Sequence, residues 1–447
     1  MQLKKSKGLT IAHAIAQASA VLLGATAPLV SAHADDHGWQ VDTAALFYTE
    51  SDSRVQAAEP VISMKKDMGD EKILNLKLVL DSLTGASPNG AAPANVAQIF
   101  TGPSGGGTYT TPAGEIPLDD EFKDTRAAIS AGWQQPIGEN LRLNVGGNIS
   151  SEFDFQSVGV NAAIAKDIND KNTTLSAGIN LEFDNIDPVG GSPEPFATMV
   201  DKVAKNLAGG ADTKTVTDLL LGVTQVINRN AIVQVNYSLS MANGYQSDPY
   251  KMLTVLDGSN NLMLDPSIDN TSGYNLYLFE VRPDSRTKHS LYTQLKYHLT
   301  KDVIDASYRY TTDDWGVNSH TLDLKYRWEL GHAMYLEPHV RWYTQTEADF
   351  YKPYLQAGSD VAIVGPTVTS NLDAASADPR LGSFDATTFG VKYGIGLSKD
   401  SELNFRIEKY DQKANGPAAP ATGDLAGQQL QPDLSAMWLQ IGYSFRW

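Results

Sequence analysis

The C-terminal stretch Met437-Trp438-Leu439-Gln440-Ile441-Gly442-Tyr443-Ser444-Phe445-Arg446-Trp447 alternates without a break. Successive side chains of a strand point to opposite faces, so Met437, Leu439, Ile441, Tyr443, Phe445 and Trp447 share one face. Trp438, Gln440, Gly442, Ser444 and Arg446 share the other. The period of two predicts a strand that is greasy on one side and polar on the other.

The same pattern recurs upstream. Leu322, Leu324, Tyr326, Trp328 and Leu330 interleave with Asp323, Lys325, Arg327 and Glu329. Four consecutive charges on one face are hard to bury in a sandwich core. Further copies are Phe389, Val391, Tyr393, Ile395 and Leu397; Leu175, Ala177, Ile179, Leu181 and Phe183; and Leu74, Leu76, Leu78 and Leu80. A soluble β-sandwich also alternates, so period alone does not separate it from a membrane barrel. Placement does. Segments of about ten residues joined alternately by tight turns and long polar loops are the barrel pattern. Tight turns fall at Met68-Gly69-Asp70, Pro136 to Asn140, Asn169 to Asn172, Asn228-Arg229-Asn230, Lys301-Asp302, Gly331-His332 and Lys399-Asp400.

Counting back from Trp447, with that end in the periplasm, puts every tight turn on the periplasmic side and every long loop outside. The strands expected are 39–49, 54–66, 70–83, 121–135, 140–151, 154–166, 172–184, 217–228, 230–241, 287–299, 303–312, 319–330, 334–346, 385–398, 401–410 and 434–447. That is an all-β, transmembrane, antiparallel up-and-down barrel of about sixteen strands. The second and eighth alternate poorly, and about fourteen remain without them. The outer loops 84–120, 185–216, 242–286, 347–384 and 411–433 are rich in Gly, Pro, Ser and Asn. A short helix over Pro195 to Leu207 is expected, ended by Gly209-Gly210, with neither a second domain nor a plug.

Residues 1–34 have the order of a secretory signal: Lys4, Lys5 and Lys7, an apolar stretch from Ile11 to Val30, then Ala32-His33-Ala34, with cleavage expected after Ala34. The barrel domain is then 35–447, and nothing beyond Ala34 approaches the roughly 18 apolar residues of a spanning helix. The chain has 35 basic and 52 acidic residues, and removing three Lys leaves 32 − 52 = −20. Such acidity argues against nucleic acid as a partner. The absence of cysteine excludes disulfides, thiol catalysis and Cys-ligated metals.

Tyr443, Phe445 and Trp447 have the form of the terminal signal read by the outer-membrane insertion machinery, which is therefore an expected partner alongside outer-membrane lipid. The inward row is mixed in sign. Its lumen-lining candidates are Lys325, Arg327, Glu329, Glu337, His339, Arg341, Lys392 and Arg406, flanked by Arg309, Asp323, Glu402 and Glu408. Lys325, Arg327 and Arg341 would draw anions, since rings of charge set selectivity in a channel. The alternative is salt bridging that satisfies a wet lumen. Ser319 beside His320, after Asp313 and Asp314, has the residue types of a hydrolase, yet neighbours on a strand face apart. No enzyme is expected. Asp313-Asp314 falls short of a cation site, and Gly102 to Gly107 lacks the Lys of a phosphate loop, so neither metal nor cofactor is expected.

Tyr308-Arg309-Tyr310-Thr311-Thr312-Asp313-Asp314-Trp315 with Ser319-His320-Thr321 resembles the bacterial outer-membrane family known as domain of unknown function 3570. Similar to it too are Gly85-Ala86-Ser87-Pro88, Gly244-Tyr245 with Asp248-Pro249-Tyr250, Arg282-Pro283 with Arg286, Arg341-Trp342-Tyr343, Ala348-Asp349-Phe350-Tyr351 and Arg380-Leu381. Thr84, Thr311, Thr312 and Pro379 depart from its pattern. The resemblance implies an outer-membrane address and a setting near a small lipoprotein. Its motifs lie at the outer loop bases, either as a structural rim or as a binding mouth. Expected from these readings is a pore or transport barrel for a small polar solute or partner protein. The alternative is a surface scaffold holding a small lipoprotein through loops 242–286 and 347–384.

Overall fold

The computed structural model describes residues 38–51, 54–85, 88–101, 108–118, 123–188, 191–199, 211–268 and 273–447. The leader expected at 1–34, the Gly102 to Gly107 run, Ala86-Ser87 and most of the helix expected from Pro195 lie outside them. Pro195 to Met199 make a turn and a bridge from Thr198 to Leu278.

Sixteen antiparallel strands close into one barrel. In chain order they are β1 (Trp39–Glu50), β2 (Val55–Asp67), β3 (Ile73–Gly85) and β4 (Lys123–Gly138); β5 (Leu141–Ser151), β6 (Phe155–Ile168), β7 (Thr173–Ile186) and β8 (Asp212–Asn228); β9 (Ala231–Gly244), β10 (Ser285–His298), β11 (Val303–Asp313) and β12 (Asn318–Gly331); β13 (Met334–Gln345), β14 (Phe384–Ser398), β15 (Ser401–Ala414) and β16 (Leu434–Arg446). Each pairs with its neighbour in sequence, and β1 closes on β16 with Gln40 opposite Arg446. Reciprocal backbone bonds between Trp39 and Trp447, of 2.9 and 3.1 Å, extend that seam. Closure satisfies every edge, which a barrel in lipid requires.

The two poorly alternating segments are both full strands. In β2, Pro60 has no N–H to give, and the ladder to β3 skips from Ala58 opposite Ser82 to Val61 opposite Val79. The ladder to β1 keeps Pro60 opposite Ala45. β8 begins at Asp212, earlier than expected, because Asp212 to Thr215 continue the ladder to β7.

One dyad row faces out and forms an apolar belt: Leu78, Ile129, Val160, Ile179, Leu221, Leu291, Leu324, Val340, Phe389 and Leu439 are all exposed large hydrophobics. A water-soluble protein does not display a continuous apolar belt. A barrel facing hydrocarbon does. No helix among the described residues is long and apolar enough to cross a membrane. The seven tight turns lie at one end and the long loops at the other, as the alternation predicts.

The long loops pack together. Four of them contribute to a core whose Leu253, Val255, Leu276, Leu278 and Leu355 are fully buried, flanked by Phe100, Met252 and Tyr277. The centre is a small sheet of residues 252–256, 277–279 and 355–356. Each large side chain buried this way contributes about 1.5–3 kcal/mol. Leu425, from the fifth loop, packs with Ala92 and Leu256.

Candidate functional site

Two structures define the site: the charged wall of the lumen over β10 to β15, and the packed loops across its mouth.

The loop at 245–284 rises between β9 and β10. Met252 N–H donates to Asn89 O at 2.8 Å, Ala92 N–H to Thr254 Oγ1 at 2.8 Å and Lys251 Nζ to Pro88 O at 2.5 Å, tying it to the loop between β3 and β4. Leu262 N–H donates to Asp424 Oδ2 at 2.8 Å and Asp424 N–H to Asn260 O at 3.1 Å, tying it to the loop between β15 and β16. Six strands, β4 to β9, separate the first pair of attachments, and six, β10 to β15, the second. A segment bonded to loops that far round the circumference on both sides must cross the opening. Further ties run to Ala197 and Met199 and to Ala375. The barrel thus has a lid woven from its own loops.

The lid is locked at its base by buried charge. Asp378 accepts from Arg282 at 2.7 Å and from Arg380 Nε at 2.8 Å. Glu280 pairs with Arg282 at 2.6 Å, and Asp248 with Arg380 at 3.2 Å. Asp378, Glu280 and Lys251 are buried, and the three acids balance Lys251, Arg282 and Arg380. Burial alone raises the Asp378 carboxyl, but the charges of Arg380, Lys251 and Arg282 outweigh it and hold the group far below the ordinary carboxylate range.

Beside this lock, Asp313 accepts from Arg286 at 2.8 and 2.5 Å and from the amides of Trp315 and Val317. Trp315 is buried between the Arg286 guanidinium at 4.3 Å and the Phe350 ring at 5.0 Å, and donates to Ser285 O at 2.7 Å. Asp314 accepts from the Thr287 amide at 2.9 Å. Gly316 holds φ +85°, and a Cβ there would overlap the Asp349 carboxylate. Residues that stand far apart in sequence as loop-base motifs, Arg286, Asp313, Trp315, Asp349 and Phe350, therefore meet at the base of the loops. Ser319 faces inward and is buried, whereas His320 faces out and meets Tyr308 Oη at 2.7 Å through Nδ1. The two side chains do not meet.

In the lumen, the candidate charges pair along the wall. Lys325 lies 3.3 Å from Asp323, two residues away on β12. Arg327 contacts Glu329 at 2.6 Å and stacks 3.6 Å from the Tyr335 ring centroid. His339 bridges Asp323 at 2.9 Å and Glu408 at 3.0 Å. Arg406 joins Glu337 at 3.6 Å and Glu408 at 3.2 Å, and Lys392 sits 5.5 Å over Tyr335. Every pair lies on one strand or between near neighbours, so none spans the bore. Arg341 has no carboxylate within 4 Å among the described residues.

Tyr335 was invisible to a search for charge. It lies flat over Gly394, where a Cβ would strike its ring, and donates to Glu402 at 2.7 Å. Its inward parity two residues before Glu337 is the signal that marks it. Tyr443, Phe445 and Trp447 stack in a row on the outer face, with ring centroids 5.4 and 5.6 Å apart.

The family described as Protein of unknown function (DUF3570) matches residues 12–445. The chain belongs to that family. No curated protein matches it in sequence. Among solved structures, it is similar to a bacterial polysaccharide outer membrane secretin, at 9% identity over 92% of this chain and 100% of that one, with TM-score 0.42. It is also similar to the CymD monoaromatic hydrocarbon channel, at 9% identity over 92% and 89%, TM-score 0.39. A ferric enterobactin receptor mutant from Pseudomonas aeruginosa is similar at 10% identity over 85% of this chain and 54% of that one, TM-score 0.40. Nothing about what this family member carries follows from likenesses so remote.

Proposed function

We propose that this protein is an outer-membrane transport barrel for a small polar solute or a partner segment, with its outer mouth covered by its own loops. The observation that carries the reading is the pairing of lumen charges along the wall beneath a lid that crosses the mouth. A closed barrel of sixteen strands is of the size that leaves an aqueous channel, which supports the reading. Lateral pairs keep that bore polar without filling it, and the lid supplies the closure. The apolar belt, the aromatic row ending at Trp447 and the turn parity support an outer-membrane address with the tight turns periplasmic.

Swelling of liposomes in small sugars tests the reading. Vesicles with the intact barrel are expected to swell slowly, and vesicles with residues 246–283 replaced by a short Gly-Ser linker quickly. No swelling with either protein, both correctly folded, would overturn it. The scaffold reading draws on a separate observation: the outer loops form one prepacked surface rather than free chains. Recovery of a stoichiometric lipoprotein with the intact barrel, lost with the linker variant, would favour that reading instead.

A further inference from the structure

Arg341 and Arg309 share a property that separates them from the other arginines of the charged wall. Arg327 and Arg406 each have a carboxylate within 4 Å, as do Lys325 and Lys296. Arg309 and Arg341 have none among the described residues. They stand on β11 and β13, on either side of β12. One rung of the wall runs Tyr292, Arg309, Thr321, Tyr343, and the next runs Ser307, Asp323, Arg341, Thr388. The two arginines are two strand spacings and one two-residue step along the strand apart, roughly 12 Å between backbones, which their long side chains can close onto a shared ligand.

An acid was at hand. Asp323 stands directly opposite Arg341, yet its carboxylate goes to His339 and Lys325. Arg309 instead lies over the Tyr292 ring, 5.2 Å from its centroid, a contact that takes up none of its N–H donors. Hydroxyls of Thr321, Thr388 and Ser307 border the pair. Two like charges thus stand on neighbouring rungs of a wall that neutralises Lys325 and Arg327.

We propose that Arg309 and Arg341 form an anion subsite in the lumen that takes a phosphate or carboxylate group of the passing solute. Guanidinium forks bind such groups with two parallel hydrogen bonds. The proposal rests on the transport reading for the word solute, while the subsite itself requires only the barrel.

Calorimetric titration of the folded barrel in detergent with inorganic phosphate, and separately with citrate, tests it. Saturable binding of at least one is expected, weakened about tenfold or more in R309Q and in R341Q. K399Q, in an exposed turn, should leave it unchanged, and R341K, which keeps the charge without the fork, should fall between. Heat-modified gel migration establishes that each variant is folded. Absence of binding by the wild-type barrel, or equal binding by wild type and the two glutamine variants, overturns the subsite. Binding that behaves as expected in a barrel that passes no solute would leave the subsite standing and remove the transport reading.

Discussion

At the scale of single residues, the lid depends on Asp378. Its carboxylate neutralises Arg282 and Arg380 where water is excluded, and Asp248, Glu280 and Lys251 complete the surroundings. Removing one partner of a buried ion pair strands the other and costs about 3–5 kcal/mol. D378A is therefore expected to make residues 246–283 sensitive to limited proteolysis while the barrel keeps its heat-modified migration. Unchanged resistance would show that the loops are held by their apolar core alone. The sign of the pH dependence follows from the lowered pKa. A carboxyl depressed in the folded state contributes stability above its unfolded pKa, near ~4, and loses it as pH falls toward the folded value. Hydrogen exchange of the amides of Met252 to Leu256, corrected for intrinsic rates, is expected to be flat from about pH 7 to 5 on account of Asp378 and to quicken below about 4. None of this was legible beforehand. Asp248 and Arg282 stand near the two ends of one long loop and Asp378 on another, and no periodicity ties an acid to its base across such separations.

At the scale of elements, the strands were readable because lipid on one side and water on the other impose a period of two. That is why Leu322 to Leu330 and Met437 to Trp447 declare themselves. β2 and β8 were harder for identifiable reasons: Pro60 interrupts one ladder of β2, and β8 carries Val216 and Leu220 inward among its polar residues. The lid was unreadable because its core is assembled from short runs, Leu253 and Val255 here, Leu276 and Leu278 there, Leu355 on another loop, none long enough to show a period. Two changes test the wall and its last strand. G394V would force Tyr335 from its seat, breaking its bond to Glu402 and the Arg327 stack, and is expected to lower the unfolding temperature of the barrel by several degrees, as about 1–3 kcal/mol of overpacking does. An unchanged temperature would mean that Tyr335 has other places to lie. Replacing Phe445 and Trp447 together by serine removes two members of the aromatic row and is expected to leave unfolded chain in the periplasm. Normal insertion would remove the role proposed for that row.

For the whole molecule, an apolar exterior, a polar bore and a woven lid make three demands that one chain satisfies through parity and loop length. Even strand number and short turns bring both ends together at the Trp39 and Trp447 seam, and place the five long loops around one mouth. The lumen candidates on β12, Lys325, Arg327 and Glu329, alternate with the exposed Leu324, Trp328 and Leu330. Salt bridging was one of the two readings offered, but which charges pair was not legible: Lys325 and Arg327 find acids two residues away on their own strand, whereas Arg341 finds none among the described residues. The claim that joins these features is that the lid, not the charged wall, closes the bore. Planar-bilayer recording of the intact barrel and of the variant lacking residues 246–283 tests it directly. The account predicts rare, small openings with the lid and steady, large conductance without it; the same silence from both, with each shown to be folded and inserted, would contradict it.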